Sequence, residues 1–148
     1  MTKSLIFAHR GSNKEAAENT GSAFDRALEY PIDGIETDVQ LSRDEVTVLW
    51  HDRFLGKAGF PLRHIDDFDH AQLQAMNFAA HFPTAAKPEG IMSLKKIPRC
   101  LSQALEMAIS PKLKLRFVFH GRSPIKRFME TISAAKFGLY IRRRKIPA

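Results

Sequence analysis

A histidine joined to an arginine, His9-Arg10, a Glu-x-Asp pair, Glu36 and Asp38, and a second histidine, His51, make up a set of side chains able to cleave a phosphodiester. Two carboxylates offer hard oxygen ligands to Mg²⁺ or Ca²⁺. An arginine can hold a phosphate oxygen bidentately, and two imidazoles can exchange protons with a nucleophile and a leaving group near neutral pH. Each part alone is weak, because His-Arg-Gly commonly marks a turn and Glu-x-Asp commonly lies on a solvated strand face. Their order and spacing carry the inference.

These residues need elements to position them. Leu5 to Ala8 is a short apolar run ending at His9-Arg10-Gly11, which predicts a buried strand with the His and Arg at its C-terminal mouth, where α/β sites gather. Asn19 or Thr20 can cap a helix whose Ala23, Phe24, Ala27 and Leu28 share one face and which Pro31 stops. Gly34 to Leu41 alternates, and after Ser42-Arg43-Asp44-Glu45 a second alternating run, Val46 to His51, follows as in a hairpin. A turn centred between Arg43 and Asp44 sets Glu36 opposite His51, Asp38 opposite Leu49 and Gln40 opposite Thr47. Opposed residues point to one side, so both carboxylates and the second histidine are expected on one surface.

Residues 1–148 read as one domain in three parts: catalytic motifs at 1–55, a loop-rich insertion or lid at 56–98, and a basic helix–strand–helix part with a tail at 99–148. Asp69 is positioned to cap a weak helix in the insertion, where His64, His70 and His81 are expected at the surface and Trp50 in the core or the site wall. Leu101, Ala104, Leu105, Ala108 and Ile109 mark an amphipathic helix ended by Ser110-Pro111. Leu113 to Phe119 alternates as a strand does, Ser123-Pro124 starts a last helix that Gly138 can end, and Arg142-Arg143-Arg144-Lys145 reads as an exposed tail.

Charge divides the chain. Residues 1–94 hold 9 Lys+Arg against 14 Asp+Glu and residues 95–148 hold 14 against 2, for a net charge of +7. Such a basic part speaks first to solubility and nonspecific association. A single cysteine, Cys100, excludes an internal disulfide and a Cys-rich zinc site. No apolar run reaches the roughly 20 residues of a membrane span or the length of a signal-peptide core, so a cytoplasmic protein is expected.

The sequence resembles the glycerophosphodiester phosphodiesterases. The resemblance runs through Ala8-His9-Arg10-Gly11, Glu18-Asn19-Thr20, Ala23-Phe24, Gly34-Ile35-Glu36-Thr37-Asp38-Val39-Gln40-Leu41-Ser42 and His51-Asp52-Arg53-Phe54-Leu55. Ile97-Pro98-Arg99 with Leu101 and Ala104-Leu105-Glu106 is similar to a later Pro-x-Leu-x-Glu-Ala-Leu segment of that family, with Cys100 as an extra residue. The resemblance implies an α/β fold, a (β/α)₈ TIM barrel, and hydrolysis of glycerophosphodiesters, such as deacylated phospholipids, to glycerol 3-phosphate and an alcohol. It also implies His9 and His51 as the acid/base pair, Arg10 as the phosphate ligand, Glu36 and Asp38 as ligands of a divalent cation, and Asn19 lining the site, although a helix cap explains Asn19 as well.

Departures from that pattern set further expectations. A complete barrel of this kind needs about 250 residues, so 148 residues are expected to hold roughly its N-terminal half, with open strand edges available for self-association. The family's third metal-binding Glu, and the Lys two residues after it, correspond here to Val118 and His120. After Pro111 there are 11 Lys+Arg and one acid, Glu130, which suggests a truncated or frame-shifted product of doubtful activity. The alternative is a non-catalytic remnant, or a basic module for an anionic polymer or membrane surface; no specific nucleic-acid partner is expected.

Overall fold

The structure is a computed structural model that describes residues 4–97 and the strands at 114–119 and 139–143. The helices expected after Leu101 and Ser123, and Cys100, lie outside the described residues.

Strand β1 (Phe7–His9) leads into helix α1 (Gly21–Leu28) and then strand β2 (Gly34–Leu41). Thr20 is the N-cap of α1: its backbone is extended and its hydroxyl accepts from the Ala23 N–H. Ala23, Phe24, Ala27 and Leu28 form the buried face of that helix, as their spacing predicts. Gly11, at φ +81°, packs so tightly on α1 that an added Cβ would meet the Ala23 carbonyl carbon at 2.6 Å. Only glycine satisfies both the backbone and the space.

Four strands run parallel in sequence order, β1–β2–β4–β5, with β4 at Lys114–Phe119 and β5 at Leu139–Arg143. This is the order of consecutive strands in an incomplete (β/α)₈ barrel. Strand β3 (Thr47–Leu49) turns back antiparallel on Val39–Leu41, while β1 takes Gly34–Glu36, so the two share one edge of β2 and β4 takes the other. Ile35, Thr37, Val39 and Leu41 are buried along β2.

Two expectations are corrected. The hairpin register is Leu41 with Thr47, Gln40 with Val48 and Val39 with Leu49, one residue away from the expected pairing. The turn closes between Ser42 and Val46, leaving three loop residues of which Glu45 is left-handed at φ 61°. A three-residue loop ending in a left-handed residue is a common hairpin connection, and the added residue changes which face every partner occupies. Second, Arg142 and Arg143 are strand residues of β5 rather than part of a tail. Leu139-Tyr140-Ile141 was too short an apolar run to stand out beside four consecutive cations.

The insertion is packed. Trp50, Val48, Leu55, Ile65, Leu73, Phe78 and Ile91 form one buried cluster, with Trp50 and Phe78 edge to face at 5.1 Å. Helix α2 (His70–Ala75) is capped by Asp69, with the Gln72 side chain accepting from the Asp69 N–H. Arg43 in the hairpin turn forks onto both carboxylate oxygens of Asp69, at 2.9 and 2.7 Å, and ties the turn to α2. Among the described residues no helix is long and apolar enough to cross a membrane.

Candidate active site

The C-terminal mouth of β1 is built on strained backbone. Arg10 and Asn19 both adopt the left-handed conformation, at φ 60° and 57°, which costs a non-glycine residue about 1 kcal/mol or more unless the surroundings impose it. Here they do: the Arg10 N–H donates to the Glu36 carbonyl at 2.7 Å, and the Asn19 N–H donates to the Arg10 carbonyl at 3.0 Å. His9 registers with Glu36 across the parallel pair, so the two stand side by side on one sheet face, and Asp38, two residues on, returns to that face.

Arg10 is held from two sides. Its Nη1 donates to Glu18 Oε2 at 3.0 Å, and its Nε lies 2.8 Å from Asp38 Oδ2, a carboxylate only 4% exposed. That contact is an ion pair whose N–H direction falls short of a well-formed hydrogen bond. Asn19 is not the helix cap. Its Oδ1 accepts from the buried Thr37 hydroxyl at 2.7 Å and its Nδ2 reaches Asp38 Oδ2 at 3.5 Å, so the side chain buttresses β2 at the acidic pair.

His51 lies past the end of β3, where strand alternation no longer dictates its direction. Gln40 does this instead: its Nε2 donates to the Trp50 carbonyl at 3.1 Å and the Asp52 carbonyl at 2.9 Å, gripping the backbone on both sides of the histidine. Asp52 Oδ1 meets His51 Nδ1 at 2.7 Å. Lys57 then bridges Asp52 Oδ2 at 3.1 Å and Glu18 Oε1 at 2.8 Å. The result is one chain of alternating partners, from Asp38 through Arg10, Glu18, Lys57 and Asp52 to His51.

Electrostatics follow from this chain. Burial alone would raise the carboxyl of Glu18, but hydrogen bonds from Lys57 and Arg10 outweigh it and hold the group below its ordinary range. Asp52 is lowered in the same way, burial being overcome by His51 and Lys57. Burial opposes the charge on Lys57 too, and its bonds to Glu18 and Asp52 raise it nonetheless. His81, expected at the surface, is half-buried within electrostatic reach of the same three groups; burial first, then Lys57, lowers its pKa.

The structure joins Arg10, Asn19 and Asp38 directly, places His9 beside Glu36, and connects His51 to them through Asp52, Lys57 and Glu18. No three of His9, Glu36, Asp38 and His51 bring donor atoms within 4.8 Å of one another; among the described residues the group that does is Glu18, His51 and Asp52. That group already holds the Lys57 ammonium between its carboxylates. Glu36 and Asp38 offer hard oxygens on one face, a donor set of the kind Mg²⁺ accepts when waters and substrate phosphate complete its shell. The β4 residues in register with them are Arg116 and Val118, so β4 adds no carboxylate at those two positions.

Sequence reading missed Glu18, Lys57 and Gln40. Glu18 at least belongs to the Glu18-Asn19-Thr20 motif, whereas an isolated lysine in a loop and a glutamine on a strand carry no local signal.

The family model of the glycerophosphoryl diester phosphodiesterases matches residues 9–123. A glycerophosphodiester phosphodiesterase of Caldanaerobacter subterraneus is 35% identical over 95 residues, covering 64% of this chain and 39% of the relative. One from Bacillus altitudinis is 32% identical over 114 residues, covering 77% and 46%. The chain thus spans less than half the length of these relatives. Among solved structures, a glycerophosphodiester phosphodiesterase from Agrobacterium tumefaciens superposes with a TM-score of 0.77 at 21% identity, over 97% of this chain and 59% of that one. An Oleispira antarctica phosphodiesterase, in complex with the product sn-glycerol-3-phosphate, gives 0.73 at 21% identity, over 95% and 57%. With an incomplete (β/α)₈ sheet and the His-Arg and Glu-x-Asp residues gathered at its mouth, this chain belongs to the glycerophosphoryl diester phosphodiesterase family.

Proposed function

We propose that this chain carries the phosphate-binding and proton-transferring residues for the cation-dependent hydrolysis of a glycerophosphodiester to glycerol 3-phosphate and an alcohol. The observation that supports it most is Arg10, pinned between Glu18 and Asp38 in a strained backbone at the mouth of the sheet, next in sequence to His9. A guanidinium has five N–H donors, more than these two contacts use, and one already fixed in place loses little freedom in taking a phosphate oxygen.

His9 and His51 exchange the protons. With Nδ1 of His51 engaged by Asp52, its Nε2 is the nitrogen that faces the reaction. One imidazole takes the proton of the attacking oxygen and the other returns one to the departing alcohol oxygen. Glu36 and Asp38 are the residues that would hold Mg²⁺ or Ca²⁺, which when bound offsets the charge growing on the phosphate oxygens. Asn19 lines the site by bracing Asp38 and Thr37. The glycerol 3-phosphate bound by the Oleispira relative supports the choice of product.

The experiment is release of glycerol 3-phosphate from glycerophosphocholine or glycerophosphoethanolamine with Mg²⁺ or Ca²⁺, read by a coupled dehydrogenase. Loss of release in H9A and H51A and on chelation supports the reading. Release that persists in both variants, or none from the parent chain under any of these conditions, refutes it.

A further inference from the structure

The chain of charges has a midpoint that no part of the proposed reaction uses. Lys57 sits in a tight 3₁₀ turn, Gly56–Ala58, closed by left-handed Gly59 and by the bridge of fully buried Leu55 to Phe60. The turn therefore presents the ammonium from a fixed base. Each carboxylate it touches is divided: Glu18 gives Oε1 to Lys57 and Oε2 to Arg10, and Asp52 gives Oδ2 to Lys57 and Oδ1 to His51. Both carboxylates lie in the group whose donors are within 4.8 Å of one another, so without a cation between them they repel at close range, and Glu18 is only 14% exposed.

We propose that Lys57 is a positioning residue that aligns Arg10 and His51 at once, through Glu18 and Asp52. The proposal deepens the reading above and rests on it: one internal cation sets the distance between the group that holds the phosphate and the group that moves the proton. A lysine suits the task because its ammonium offers three donors in different directions, two of which are taken by two different carboxylates. Neutralising it leaves Glu18 and Asp52 free to separate, and each takes its site residue with it. Lys57→Arg keeps the charge and enough donors for both carboxylates, whereas Lys57→Gln keeps much of the length but loses the charge.

The test uses the whole chain and has two arms. In the first, ¹⁵N NMR at fixed pH reads the His51 ring and the Arg10 side-chain Nε–H in the parent, K57Q and K57R. The expected result is a His51 ring protonated on Nδ1 in the parent, loss of that tautomer preference and a shift of the Arg10 signal in K57Q, and retention of both in K57R. In the second arm, K57Q lowers the turnover of glycerophosphocholine and raises its KM, while K57R restores turnover. His51 and Arg10 signals unmoved in K57Q, or K57Q turnover equal to the parent's, overturns the proposal. If K57Q fails to fold, D52N serves in its place: an unchanged His51 tautomer there overturns it equally. Should the parent release no glycerol 3-phosphate while its spectra respond to K57Q as expected, the catalytic reading falls and the positioning role stands.

Discussion

Replacing Gln40 by Glu tests whether the backbone around His51 is held from β2. The side chain is only 6% exposed and its amide nitrogen donates to two carbonyls, those of Trp50 and Asp52. Q40E keeps shape and size but turns the double donor into an acceptor. Two hydrogen bonds are lost at about 1 kcal/mol each, and a buried carboxylate facing two carbonyl oxygens adds about 1–3 kcal/mol of desolvation. The expected loss is about 3–5 kcal/mol at pH 7, which with a urea slope of about 1–3 kcal/mol/M lowers the midpoint by roughly 1–5 M. Burial raises the introduced carboxyl's pKa, so by about pH 5 it protonates, recovers one donor, and the gap to the parent narrows. Turnover of glycerophosphocholine is expected to fall on the order of 10²-fold, since displacing a reacting group by about 1 Å has that effect. Urea titrations of both proteins at pH 7 and pH 5 decide it. A Q40E midpoint equal to the parent's at pH 7, or a gap that ignores pH, refutes the grip on Trp50 and Asp52.

Two further outcomes are expected. G11A forces a Cβ to 2.6 Å from the Ala23 carbonyl carbon at a φ of +81°; left-handed strain of about 1–2 kcal/mol and displacement of α1 should together cost more than 2 kcal/mol by urea unfolding, and a smaller loss means the helix can move away freely. The pH profile of stability should fall on both flanks. Glu18 and Asp52, lowered in the folded state, contribute fully above their ordinary range and lose that contribution as pH falls through their lowered values; His81, kept neutral, begins the acid loss below its ordinary pKa of about 6.5. Lys57, raised, contributes fully below its ordinary value and loses this as pH rises through the raised one. An alkaline flank that is the same in K57Q as in the parent would show that Lys57 is not its source.

Several features could be read locally because local rules produce them. Four apolar residues at helical spacing predicted the buried face of α1, and the alternation of Gly34–Leu41 predicted β2. Asp69 read correctly as a cap because a side-chain oxygen beside the first free N–H groups needs nothing distant. Asn19 and Thr20 were indistinguishable as caps by type. The choice fell to Thr20 only because Asn19 is turned, in a left-handed backbone, toward Thr37 and Asp38 on the next strand. The hairpin register failed by one residue, since the loop length depends on the conformation of Glu45 rather than on where its polar residues are centred.

The candidate site residues, and the family they mark, were legible in the order of residues along the chain: His9-Arg10, Glu36-x-Asp38 and His51 have chemical properties that no fold confers. What the tertiary structure decided was how they are held. Gln40 to Trp50, Glu18 to Arg10 and Lys57 to Glu18 are contacts across separations of 8 to 39 residues. Coulomb attraction and hydrogen bonding depend on distance in space, and that distance exists only once β1, β2 and the loop after β3 have been folded against one another.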